Sequence, residues 1–247
     1  NMGAVSGTSW INEAGSSLTL KSNGFLCGSG RTFTASAVVN IVRLQYVGGA
    51  VPITSSGYYD LTILSSLTKT LQSNTVIAGS LTISGSNTLN SNNFDISVGG
   101  NWNNSGTFTA SAGKTVTLNG TANQTMSNSS GTTTFKRLTV NNPTFNVTLT
   151  TGTYILDEVL TITDGTFNTG GRPCTMTSTA TQTARIAPMP VTAAMAGAFT
   201  IQRFITARDT TFADFSSPVQ NSTFNDWATE LPFISYISSP PTAEASA

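Results

Sequence analysis

Brief apolar clusters in which the apolar residues alternate with Thr or Ser recur along most of this chain, at a spacing that admits few folds. Examples are "SLTL", "DLTI", "SLTI", "TVTL", "RLTV", "VTLT" and "LTIT". Strict alternation sends successive side chains to opposite faces, and β-branched residues favour extended backbone. Each cluster therefore predicts a short strand with one face buried. The clusters centred near Leu18, Ile41, Leu61, Leu81, Trp102, Leu118, Leu138 and Leu160 stand 23, 20, 20, 21, 16, 20 and 22 residues apart. Between them "SGSN", "SVGG", "NNSG", "NSSG" and "TDG" supply the Gly, Asn and Asp that turns require. Helical periodicity is absent through about Ala187.

Short strands returning every 20 or so residues predict an all-β fold, a β-solenoid (parallel β-helix) in which each turn of chain is one rung stacked on the last. Tandem β-sandwiches are the alternative, with strands every roughly 8 to 12 residues. Near residue 190 the Thr/Asn rhythm gives way to "IAPMPVTAAMAGAFTIQRF". This predicts a repeat solenoid over 1–190 and, over 191–247, a C-terminal β-rich cap or the start of a second β domain, since an end rung needs its edge covered.

A longer self-similarity overlies the short one. "TKTLQSNTVIAGSLTI" from Thr68 matches "NVTLTTGTYILDEVLTI" from Asn146, an offset of 146 − 68 = 78. "YYDLTI" from Tyr58 matches "FKRLTV" from Phe135 at 135 − 58 = 77, and "TFTASA" occurs at Thr32 and at Thr107, 107 − 32 = 75 apart. The expectation is a duplicated unit of about four rungs. Phe33 and Phe108 would then point inward at matching positions, with their flanking threonines outward.

Composition narrows the function. The 247 residues carry 11 basic and 11 acidic side chains and no basic cluster, so the electrostatic footprint of a nucleic-acid binder is missing. No apolar run approaches the roughly 20 residues that span a bilayer, so no membrane insertion is expected. The chain opens at "NMGAVSGTSW" and stops at "PPTAEASA", and reads as a piece of something longer. With no histidine, Ser-His-Asp and Cys-His catalysis and the usual zinc sites are excluded, and no metal or cofactor is expected. Cys27 and Cys174 are either a disulfide pair or two separate buried thiols; spacing does not choose between them.

Paired carboxylates are the remaining catalytic route. In the repeat region Asp60, Asp95, Asp157, Glu158 and Asp164 are the candidates. Asp157 and Glu158 are adjacent, and on a strand would face opposite ways, while Asp95 and Asp164 sit beside turns. A structural role is expected for each, and the chain reads as a non-enzyme. Thr-x-Thr triplets at Thr107, Thr115, Thr148, Thr161 and Thr175 raise an ice-binding ladder as an alternative, but their spacings of 8, 33, 13 and 14 do not follow the rung. Trp10, Trp102, Trp227, Tyr58, Tyr59, Tyr154 and Tyr236 raise a sugar-stacking platform, against which burial at rung ends is the preferred reading.

"YYDLTILSSLTKTLQSNTVIAGSLTISGSNTL", "VGGNWNNSGTFTAS" and "VTLNGTANQTM" resemble the repeat regions of large cell-surface proteins of Bacteroidetes bacteria. "DGTFNTGG", "TARIAP", "RFITARDTTFADFSSPV" and "FNDWATELPFISYI" look like the segment that follows those repeats in proteins exported by the type IX secretion system. The resemblance implies a secreted or surface-attached, adhesin-like structural protein. "DTT" at Asp209 to Thr211 matches the short O-glycosylation pattern of such bacteria, with Thr210 as acceptor; an ordinary loop is the preferred reading. The expected function is an extracellular structural or adhesive surface protein or fibre subunit, partnered by copies of itself or by surface glycans. A carbohydrate-binding or carbohydrate-processing β-helix is the alternative.

Overall fold

In the computed structural model the alternating clusters stack as parallel strands, and the protein is a β-solenoid of about 7 turns with about 21 residues per turn. Residues 58–64 and 68–204 are described in full; before them, five short strands and Gly57 are described by their backbone. Among the described residues there is no helix.

The strands are β1 (Ser9–Asn12), β2 (Ser17–Leu20), β3 (Thr32–Ala35), β4 (Val38–Ile41), β5 (Val51–Ile53), β6 (Gly57–Tyr58) and β7 (Asp60–Ile63). They continue with β8 (Thr68–Leu71), β9 (Thr75–Ile77), β10 (Leu81–Ile83), β11 (Thr88–Asn90), β12 (Ile96–Val98), β13 (Trp102–Asn104), β14 (Thr107–Thr109) and β15 (Thr115–Leu118). β16 (Gln124–Asn168) carries on around the corners, with positive φ at Thr144, Gly152 and Gly165, and β17 (Cys174–Met176), β18 (Arg185–Ile186), β19 (Ala193–Ala196) and β20 (Thr200–Ile201) follow.

Each central turn uses three strands, one per face. The first face runs β2, β4, β7, β10, β13 and the start of β16; the second runs β5, β8, β11, β14; the third runs β6, β9, β12, β15 and a later stretch of β16. Because β16 belongs to two faces, it joins them into one 14-stranded sheet. Parallel pairing continues at β19 against β16 and at β20 against β17. The expected cap or second domain over 191–247 falls mostly outside the described residues.

Register builds the core. Leu61, Leu81, Trp102 and Met126 stand directly above one another, all without exposure, and Ile63 lies beneath Ile83 in the neighbouring column. On the third face Ile96, Val116 and Leu138 form one inward column, and Ile77, Val98, Leu118 and Val140 another. Each such side chain contributes on the order of 1.5–3 kcal/mol by leaving water, while parallel pairing bonds the strand backbones to the turns above and below. The step of 16 from Trp102 to Leu118, irregular in sequence, is the passage from the first face to the third.

Corners are tight because backbones stack there. Gly100 lies over Gly79, donating its N–H to the Gly79 carbonyl at 2.7 Å. A methyl group on Gly100 would sit 2.6 Å from the Gly79 carbonyl carbon, so no larger residue fits.

The long self-similarity has a different meaning from the one expected. Phe33 lies in β3, which pairs with β1 in a sheet of their own and approaches β6 of the third face, whereas Phe108 lies in β14 on the second face. The two "TFTASA" copies therefore do not occupy matching positions. From β3 to β14 is 14 − 3 = 11 strands, which at three per turn is about three and two-thirds turns. The other offset pairs shift likewise: Asp60–Ile63 is on the first face and its counterpart Arg137 to Val140 on the third. The duplication is one of eleven strands, out of phase with the turn. Phe108 is inward, with Thr107 and Thr109 exposed, as expected; the side chain of Phe33 lies outside the described residues.

Candidate functional site

The polar chemistry of the described residues gathers at a corner entering the third face. Between inward Leu156 and Leu160 lie three half-buried residues, Asp157, Glu158 and Val159. The expectation that Asp157 and Glu158 point to opposite faces fails because they occupy this corner, where strand alternation is suspended. Asp157 pairs with Lys136 and Glu158 with Arg137, the latter at 2.9 Å, each pair joining residues 21 apart and so one turn apart. Both carboxylates therefore turn off the core.

Each is further committed. Asp157 accepts a hydrogen bond from the Thr177 hydroxyl at 2.6 Å on the following turn. The Lys136 hydrogen bond first, then that of Thr177, holds the Asp157 carboxyl below its ordinary pKa, so it is ionised at neutral pH. Glu158 also accepts the Gly113 N–H at 2.9 and 3.1 Å, reaching 45 residues back, two turns down. Beside this corner a shallow depression is lined by Phe94, Ile96, Phe108, Lys114, Lys136 and Arg137. A general acid in glycoside cleavage needs a raised pKa; Asp157 is displaced the other way.

The other acidic candidates serve the backbone. Asp60 accepts the Ser80 N–H at 2.5 Å, Asp95 the Thr115 N–H at 2.8 Å, and Asp164 the Gly165 N–H at 2.8 Å. The first two span about one turn, at separations of 20 residues, and the third caps its own turn. No group of three metal-ligating side chains is found among the described residues.

Thr-x-Thr triplets do not share a column. Thr107 stands over Thr88 and Thr68 on the second face, Thr117 over Ser97 and under Thr139 on the third, and Thr175 pairs with Ile155. The ladder that does exist, Thr68, Thr88 and Thr107, was readable from threonines spaced by 20 and 19 residues rather than from triplets. Among the tryptophans and tyrosines, Trp102, Tyr58 and Tyr154 are buried, and of the described ones Tyr59 alone is exposed, at 46%. Trp102 meets Phe108 and Phe135 edge-on, with ring centroids 5.0 and 5.1 Å apart, which is core packing rather than a sugar platform. The side chain of Trp10, and Trp227 and Tyr236, lie outside the described residues.

Cys174 is a free, buried thiol directly over Tyr154, and burial pushes its pKa up to about 12. Cys27 and Thr210 lie outside the described residues. Sequence reasoning missed the buried polar residues: Asn104, Asn128, Asn142, Gln124 and Lys69 are all nearly inaccessible. Asn104 and Asn128 are stacked partners, and each accepts a backbone N–H two residues on, from Gly106 and Ser130. The signal was an asparagine two residues after the inward Trp102 and Met126, in an inward position of the alternation.

No family model, curated protein or solved structure matches this chain.

Proposed function

We propose that this chain is a non-catalytic structural segment of an extracellular surface protein, a stiff spacer that is adhesive or fibre-forming. One observation carries the reading: the corner carboxylates are engaged in bonds between turns, Asp157 with Lys136 and Thr177, Glu158 with Arg137 and Gly113. Side chains that would do chemistry in an enzyme here tie rung to rung. Continuous parallel hydrogen bonding gives stiffness, and about 7 turns at about 4.8 Å each give a stack of roughly 34 Å. Surface location and export by the type IX route are part of the proposal, supported by the resemblance of "TARIAP" and "RFITARDTTFADFSSPV".

Pulling the chain by its two ends in a force spectrometer tests the spacer role, with release of whole turns expected at forces well above those that stretch a disordered linker. Extension without resolved resistance would sink it. Cleavage of a polysaccharide panel that disappears in Asp157→Asn would replace the proposal with the carbohydrate-processing alternative.

A further inference from the structure

The second face holds an anomaly in its inward column. Leu89 and Phe108 occupy that column in β11 and β14, and the position below them in β8 is Lys69. Its side chain is fully buried, among the largest such groups in the molecule. The Lys69 Nζ donates to Asn87 Oδ1 at 3.1 Å, and Asn87 is itself only 4% exposed. Asn87 is held firmly: its Nδ2 donates to the Ser84 carbonyl, its backbone N–H donates to the same oxygen, and its carbonyl accepts the Thr107 N–H at 2.8 Å. An amine and a carboxamide are thus fixed against each other in a space closed to water, on consecutive turns.

We infer that Lys69 and Asn87 form an intramolecular amide cross-link. The Nζ lone pair attacks Asn87 Cγ, one bond beyond the oxygen it already touches. A Nζ–Cγ bond forms, the Cγ–Nδ2 bond breaks, and Nδ2 leaves as ammonia, taking the proton that Nζ gives up. The step needs no oxidant or reductant. The attack uses the nitrogen lone pair, so the amine acts in its neutral form. Exclusion of water protects the intermediate from hydrolysis, and a fixed approach replaces a bimolecular encounter. The product closes a loop of 87 − 69 = 18 residues and ties two rungs covalently. It stands independently of the spacer role, though a rod under tension would gain from it.

Intact-mass measurement of the full chain tests the proposal, with a loss of about 17 Da expected, one ammonia. Trypsin digestion of the denatured chain is expected to leave Lys69 uncut, giving one looped peptide over residues 44–114 whose fragmentation joins Lys69 to Asn87. Asn87→Ala and Lys69→Met are each expected to restore the full mass, and Asn87→Ala to restore cleavage after Lys69. Full mass in the wild-type chain with ordinary cleavage at Lys69 overturns the cross-link, whatever the variants do. So does an ammonia loss that maps to a succinimide at the Asn-Gly pairs 23–24 or 119–120.

Discussion

Two residues show how the stacking constrains single positions. Gly100 has a neighbour where a Cβ would go, 2.6 Å away, and that neighbour is backbone in the next turn. Gly100→Ala is therefore expected to lower stability by about 1–3 kcal/mol, read from the urea midpoint, as overpacking does in other cores. Gly85→Ala is the contrast: it has open space but a positive φ of 53°, so its cost should be confined to about 1 kcal/mol of backbone strain. Asp157 supplies the pH dependence. Its folded-state pKa is depressed below 3.8 by Lys136 and Thr177, so its contribution is present above that value and disappears as pH falls through the lower folded value. Both partners are half-buried and still within reach of solvent, which limits the contribution to about 1 kcal/mol at most. Asp157→Asn should cost that much at neutral pH and shrink the loss of melting temperature below about pH 4. An unchanged acid profile would show that Asp157 is not the group responsible.

At the scale of elements the rule is one turn, three strands, about 21 residues. Leu81 pairs with Leu61 below and Trp102 above, so removing residues 81–101 sets Trp102 over Leu61 and leaves every face in phase. That excision should leave a cooperative unfolding transition, measured by far-UV circular dichroism against denaturant, at a somewhat lower midpoint. Removing only residues 91–101 should abolish the transition, because the following strands would land on the wrong faces and their apolar columns would break. The strands themselves were legible: "DLTI", "SLTI" and "TVTL" became β7, β10 and β15 with the inward residues that alternation named. The corners were not legible. Asp157 and Glu158 obey no period of two because the chain turns there, and a Lys in an inward column contradicts the pattern that placed its neighbours correctly. Self-similarity misled for a related reason, since every strand of every face has the same alternation. A match at 78 residues therefore marks strand on strand rather than turn on turn.

Over the whole solenoid strand pairing joins each rung to the rungs beside it, and the Glu158 to Gly113 bond reaches one turn further, so stability should be mainly a sum of neighbour terms. Trp102 meets Phe108 in its own turn and Phe135 in the next, and is without exposure. Trp102→Ala should cost about 3–5 kcal/mol and raise hydrogen exchange most in β10, β13 and the adjoining part of β16. Amides near Phe167, several turns away, should change little; a uniform rise along the chain would mean that the stack unfolds as a single unit. Local chemistry in the sequence determined the strands, the turn residues, the rung of about 20 and the lack of histidine chemistry, because alternation and turn propensity act between near neighbours. Only the tertiary structure decided which strand lies on which face, that Asp157 and Glu158 bind the turns below, and that Lys69 meets Asn87. Those facts depend on how the corners add up over a full turn, a sum to which Gly, Asn and Asp contribute equally well in several ways.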